Sequence, residues 1–101
     1  MLTFNLKKEW FEKIKSGEKT HEYREVKPYW TKRLDYIKST LDRELINGHF
    51  CWFVCGYAKR SDTDRYIGAV INSINIINGK NTDLAIDKEV YDIEFELIRE
   101  V

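Results

Sequence analysis

The sequence predicts an α+β domain, a small curved β-barrel of about five to six strands with one to three helices packed across it. Three observations carry this prediction. Short apolar or alternating runs recur along the chain, two segments carry helical periodicity, and 101 residues supply one core but not two.

Leu2 to Leu6 is a short apolar run and reads as the first strand. Lys7 to Ser16 reads as a helix, because Trp10, Phe11 and Ile14 fall on one side of it. Ser16-Gly17 supplies the stop, since glycine enters the left-handed conformation at a helix end without steric cost. Thr20 to Arg24 favours an extended segment. Pro28 opens the next helix, where its fixed φ suits the first helical position. From there Trp30, Leu34, Ile37, Leu41 and Leu45 form an apolar stripe that runs to Asn47-Gly48. Ser39-Thr40 in its middle leaves room for a kink or a second short helix.

His49 to Tyr57 is almost continuously apolar and aromatic, as expected of a central strand covered on both faces. Ala58 to Asp64 is a polar loop. Tyr66 to Ile77 reads as a long strand, with Gly68 a candidate bulge. Asn78 to Asn81 is a turn, and Asp83 to Glu89 has room for a short helix. Val90 to Ile98 alternates strictly, with Tyr91, Ile93, Phe95 and Leu97 on one face and Asp92, Glu94 and Glu96 on the other.

Composition bounds the function. With 43 % hydrophobic, 14 % aromatic and 34 % charged residues the chain is globular rather than disordered. A net charge of zero excludes a protein that coats nucleic acid by charge alone. The charge is uneven, however: residues 1–50 hold 11 Lys/Arg against 8 Asp/Glu, and residues 51–101 hold 6 against 9. A basic half on a neutral chain suits a small or single-stranded polyanion. No apolar run reaches the length of a membrane span, and the opening residues lack the pattern of a signal peptide. Cys51 and Cys55 share one strand face about 13 Å apart, too far for a mutual disulfide. Only His21 and His49 are available to complete a zinc site with them. The expectation is therefore free thiols in a reducing cytoplasm, with no metal and no cofactor.

The residues richest in chemistry are Gly17-Glu-Lys-Thr-His-Glu-Tyr-Arg24, at the handover from helix to strand. In an extended run Glu22 and Arg24 share a face, and a bridging glutamate holds the guanidinium in one pose. Such an arginine presents a planar fork to phosphate, carboxylate or a base edge. Lys19 adds a point charge, or a base or nucleophile where desolvation lowers its pKa. Tyr29, just off the apolar stripe, offers a surface on which a base can stack. The plainer alternative is a solvated ladder of charges worth little to stability. His21 points to the opposite face, and His49 stands at a strand start.

The spacing Gly17-x-Lys19-x-x-Glu22-x-Arg24 resembles the signature of the ASCH family, a branch of the PUA-like barrels. Leu2-Thr-Phe-Asn-Leu-Lys-Lys-Glu-Trp-Phe11, Lys27-Pro-Tyr-Trp-Thr-Lys-Arg-Leu34 and Gly56-Tyr57 extend the likeness over nearly the whole chain. The resemblance implies one domain over residues 1–101, a curved barrel whose cleft binds RNA or a nucleotide-like ligand. Carried over by position, Lys19, Glu22 and Arg24 line that cleft and Gly17 shapes its turn. Tyr57 with the loop Lys59-Arg60-Ser61 is expected as the opposite wall. Some small members of the family resembled are amidohydrolases acting on acylated cytidine, with a threonine three residues after the motif lysine. Here that position is Glu22. A hydrolase, whether amidohydrolase or ribonuclease, would have to use Lys19 with Glu22 as its acid/base pair.

Overall fold

The computed structural model describes residues 1–59 and 61–98. Strand β1 (Thr3–Leu6) leads into helix α1 (Lys8–Lys15), strand β2 (His21–Glu25) and helix α2 (Pro28–Asp42). Strands β3 (His49–Cys55), β4 (Tyr66–Asn78) and β5 (Glu89–Leu97) follow, with single 3-10 turns at Thr63–Arg65 and Gly79–Asn81. The strands form one sheet in the order β1-β3-β4-β5-β2. Only β1 and β3 run parallel; every other neighbouring pair is antiparallel. The sheet curls into a half-barrel, and its edges β1 and β2 approach each other without a backbone ladder between them.

Alternation along β5 sets the inside of the curl. Tyr91, Ile93 and Phe95 are buried, while Glu94 and Glu96 are exposed. Phe11 and Ile14 of α1 and Trp30, Leu34 and Ile37 of α2 complete the core. Rings run through it in a chain: Trp30 stacks on Phe4 (5.2 Å between centroids), Phe4 on Phe53 (5.5 Å), and Phe53 meets Phe95 at 4.6 Å. Burying each such side chain is worth about 1.5–3 kcal/mol, so α2 is held to the sheet by Trp30 more than by its own propensity. The Tyr91 hydroxyl also donates to Asp35 of α2.

Four local expectations are corrected. The bulge in β4 lies not at Gly68 but at Asn72, where the register slips between Ile71 and Ser73. The inward residues mark it: Ala69 and Ile71 are two apart, but the next is Ile74, three further on. Gly68 instead pairs regularly with Trp52 and makes room for rings, because a Cβ there would stand 3.2 Å from Phe50. Strand β3 is therefore not covered evenly on both faces. Cys51 and Phe53 are buried on one side, while on the other Val54 is buried but Phe50 and Trp52 pack edge to face and stay half-buried.

Helix α2 runs unbroken through Ser39-Thr40 but ends at Asp42, well before Asn47-Gly48. Glu44 takes φ +58°, its N–H donating to Leu41 and that of Leu45 to Thr40. This is a Schellman closure made without glycine, and it leaves Leu45 exposed. Finally, residues 83–88 form no helix. They are an irregular arm that contains Ala85 at φ +49°, tied down where Asn78 Nδ2 donates to Asp87.

Candidate functional site

The site begins at the end of α1. Gly17 takes φ +86°, its N–H donates to the Ile14 carbonyl, and the Lys19 N–H reaches back to the Lys13 carbonyl (both 3.0 Å). Only glycine enters that conformation without strain. The tight return lays Lys19 across two rings, with Nζ 5.5 Å from the centre of Trp10 and 5.0 Å from that of Tyr23.

Glu22, 5 % exposed, is the buried carboxylate among the described residues and the hub of the arrangement. Its Oε1 lies 3.3 Å from Lys19 Nζ. Its Oε2 accepts from Arg24 Nη2 at 2.7 Å and Nε at 3.1 Å. Lys19 also pairs with Asp83, from the arm between β4 and β5. The shared face of Glu22 and Arg24 expected from strand period is thus present. The ladder is not a solvated one, since the Lys19 and Glu22 side chains are 9 % and 7 % exposed.

Arg24 closes the half-barrel. Its Nη2 donates to the Asn5 carbonyl at 3.1 Å, so a side chain of one edge strand ties the backbone of the other. The guanidinium lies 5.0 Å from the centre of Trp30 and 5.3 Å from that of Phe4. Two cations held against aromatic pairs therefore flank one carboxylate. Nη1 of Arg24 makes no hydrogen bond within the described residues, and none of their buried side-chain polar atoms lacks a partner. That corner of the guanidinium accordingly reaches solvent.

A cleft of about 520 Å³ runs along the seam between β1 and β2. Glu22 and Arg24 form part of its lining, Trp10, Tyr23 and Trp30 give aromatic walls, and Lys7 and Lys27 stand exposed at its edge. Asp83, Leu84 and Ile86 make the wall opposite. Three cations (Lys7, Arg24, Lys27) and three carboxylates (Glu22, Glu25, Asp83) line it, so the cleft is neutral overall.

Several expected site residues lie elsewhere. Lys19 lines an adjoining smaller cleft of about 300 Å³, which shares Trp10, Tyr23 and Asp83 with the seam cleft. Tyr57 is 92 % exposed at the end of β3, and Ser61 is exposed in the loop beyond; neither lines the seam cleft. That loop closes on itself, the Lys59 N–H donating to Asp62 and the Tyr66 hydroxyl to the Ala58 carbonyl. Arg60 lies outside the described residues. Tyr29 is exposed but belongs to a separate cleft beyond Trp30. Gly17 shapes the turn and lines neither of these two clefts. Sequence reasoning missed Asp83, Leu84, Ile86, Trp10 and Asn5 as site residues. Only the acidic balance of the second half hinted that a carboxylate from there meets the basic first half.

The site's surroundings are strongly perturbed. Burial, with the Glu22 charge adding to it, pushes the Cys51 thiol up to about 12. Burial and then the Asp92, Asp83 and Glu22 carboxylates raise the Tyr23 phenol. Burial and the bond to Asp35 raise that of Tyr91. Cys51 and Cys55 are both free, the first buried and the second half-buried. On the outer face His21 Nδ1 lies 2.6 Å from Asp92 and Nε2 3.4 Å from Glu94, so the acidic face of β5 is engaged by β2.

Among the described residues no helix is long and apolar enough to cross a membrane. No cluster of His, Cys, Asp and Glu among them has the arrangement of a metal site. No protein-family model and no curated protein matches the chain.

Proposed function

We propose that the seam cleft takes up a nucleobase, as part of a nucleotide or of RNA, and that the chain is a cytoplasmic ASCH-type, PUA-like binding domain. One observation carries the reading: Arg24, fixed by Glu22 through Nε and Nη2 and with Nη1 unbonded within the described residues, lines an aromatic-walled cleft. An arginine N–H that is held in one pose and reaches solvent donates to the acceptor edge of a base. A cleft of balanced charge suits a neutral flat ring better than a phosphate. Lys7 and Lys27 at the edge suit the phosphate that such a ring carries. The free thiols fit a reducing compartment.

Nucleoside monophosphate titrations followed by tryptophan fluorescence test this, since Trp10 and Trp30 both line the cleft. The expected result is saturable quenching, with affinity about tenfold lower in Arg24→Gln, the loss of one good base contact. Unchanged affinity in that variant refutes the assignment.

One observation favours a hydrolase instead. Lys19 is nearly buried 3.3 Å from Glu22, the arrangement of a desolvated acid/base pair. The binding reading is preferred because the Lys19 amine already faces two carboxylates and two rings, which leaves little of it for a substrate. Turnover of acylated nucleosides or single-stranded RNA that disappears in Lys19→Ala would reverse that preference.

A further inference from the structure

A second cleft, of about 600 Å³, lies between β1 and the first half of α2. Its lining includes Tyr29, Lys32, Arg33 and His49 and, among the described residues, no carboxylate. Within the described residues, neither Lys32 nor Arg33 takes part in an ion pair. Arg33 is nevertheless held in place. Its Nη1 donates to the Tyr29 carbonyl at 2.7 Å, and its guanidinium carbon lies 3.5 Å from the centre of the Tyr29 ring. His49 is fixed in the same way, Nδ1 donating to the Phe50 carbonyl at 2.9 Å. Lys32 and Arg33 differ in kind from Arg24 of the seam, whose charge is neutralised within the fold by Glu22.

The two clefts adjoin. Asn5 lines both, and the Tyr29 ring in one meets the Trp30 ring in the other edge to face, 4.8 Å apart. Tyr29 is 53 % exposed, a large aromatic surface at the junction. A neutral, aromatic cleft beside a cationic one with a stacking ring between them repeats the pattern of a nucleic-acid strand, where flat neutral bases alternate with charged phosphates.

We infer that the α2 cleft is a phosphate site carrying the nucleotides next to the base held in the seam, so that the ligand is a short single strand of nucleic acid rather than a free nucleoside. This rests on the assignment of the seam cleft to a base. Lys32 and Arg33 neutralise phosphates, and Tyr29 stacks the neighbouring base. A duplex does not fit, because its bases are already stacked and paired.

The test compares a fluorescent single-stranded RNA hexamer with nucleoside monophosphates on wild type, on Arg24→Gln and on the double variant Lys32→Gln/Arg33→Gln. Both residues of the double variant are exposed, so folding is retained. The expected result is a hexamer affinity at least about tenfold lower in the double variant, with monophosphate binding unchanged. The slope of log affinity against log salt should also fall by ~1.4, two phosphates at ~0.7 each for a single strand. A hexamer bound equally well by wild type and double variant, while Arg24→Gln weakens both ligands, overturns the strand and leaves the base cleft standing. A hexamer weakened only by the double variant and indifferent to Arg24→Gln removes the base cleft and the two-cleft strand with it. A hexamer that binds wild type no tighter than a monophosphate also overturns the inference.

Discussion

The cations of β2 and those of α2 differ in what they face. Lys19 and Arg24 lie against Trp10, Tyr23, Trp30 and Phe4 and share the buried Glu22. Lys32 and Arg33 stand exposed above a cleft that no carboxylate among the described residues lines. The first pair is part of what holds the fold: it ties α1, β2, the β4–β5 arm and, through Asn5, the far edge of the sheet. The second contributes field without structure. A motif with several charges is therefore not by that fact an anion site, because charges that neutralise one another recognise by geometry. Unpaired charges recognise by field.

This contrast can be broken by substitution. Glu22→Ala leaves the nearly buried Lys19 and the half-buried Arg24 without the carboxylate between them, and loss of one member of a buried pair costs about 3–5 kcal/mol. The melting temperature should fall by more than about 10 °C. A drop of only a degree or two would mean that the seam pairing is no stronger than a surface ladder.

Alkaline pH is the next largest lever, and it acts on the side of the molecule where the seam meets the core. The Cys51 thiol is raised to about 12, against about 8.5 in an unfolded chain. Between those values the thiolate forms only in the unfolded chain. Stability is therefore complete below about pH 8.5 and is lost as pH rises toward 12, by up to about 1.4 kcal/mol per pH unit. Tyr91 adds to the loss above about pH 10, its unfolded value. Denaturant midpoints from pH 7 to 11 give the slope, and Tyr91→Phe should flatten its upper part. A flat profile would show that these groups reach solvent.

Smaller effects are expected at the end of α2. Glu44 holds φ +58°, a left-handed conformation that costs a non-glycine residue about 1 kcal/mol. Glu44→Gly should accordingly raise the melting temperature by a few degrees, whereas Gly17→Ala at the end of α1 should lower it by a similar amount. Equal effects in the two variants would mean that the two helix ends are not closed as described. Least of all, Lys32→Ala/Arg33→Ala should change stability by under about 0.5 kcal/mol, which calorimetry can bound. A larger loss would place α2's cations in the fold with those of β2.

Much of the architecture was legible because it depends on local pattern. The alternation of Tyr91, Ile93 and Phe95, the stripe from Trp30 to Ile37 and the glycine after Ser16 each state their role within a few residues. The bulge at Asn72 was legible too, in the three-residue step from Ile71 to Ile74, although Gly68 drew attention first. The closure at Glu44 was not, since it uses a residue that ordinarily avoids that conformation. Half of the site was legible for the same reason: Glu22 and Arg24 share a face because strand side chains alternate. The other half was not. Asp83 meets Lys19 across 64 positions of sequence, and the arm that carries it has no regular structure from which to infer its course. The loop after Tyr57, richer in charge, was the more conspicuous candidate and closes on itself instead.

What the sequence determined by itself, then, is the five strands and two main helices, most of the inward faces and the shared face of Glu22 and Arg24. Each follows from periodicity, capping or the geometry of neighbours. Only the tertiary structure decided which way Lys19 turns, what forms the opposite wall and which cations remain unpaired. Those outcomes depend on how far the sheet curls. The curl brings β1 to β2 and the β4–β5 arm to α1, and neither approach is encoded by residues adjacent in the chain.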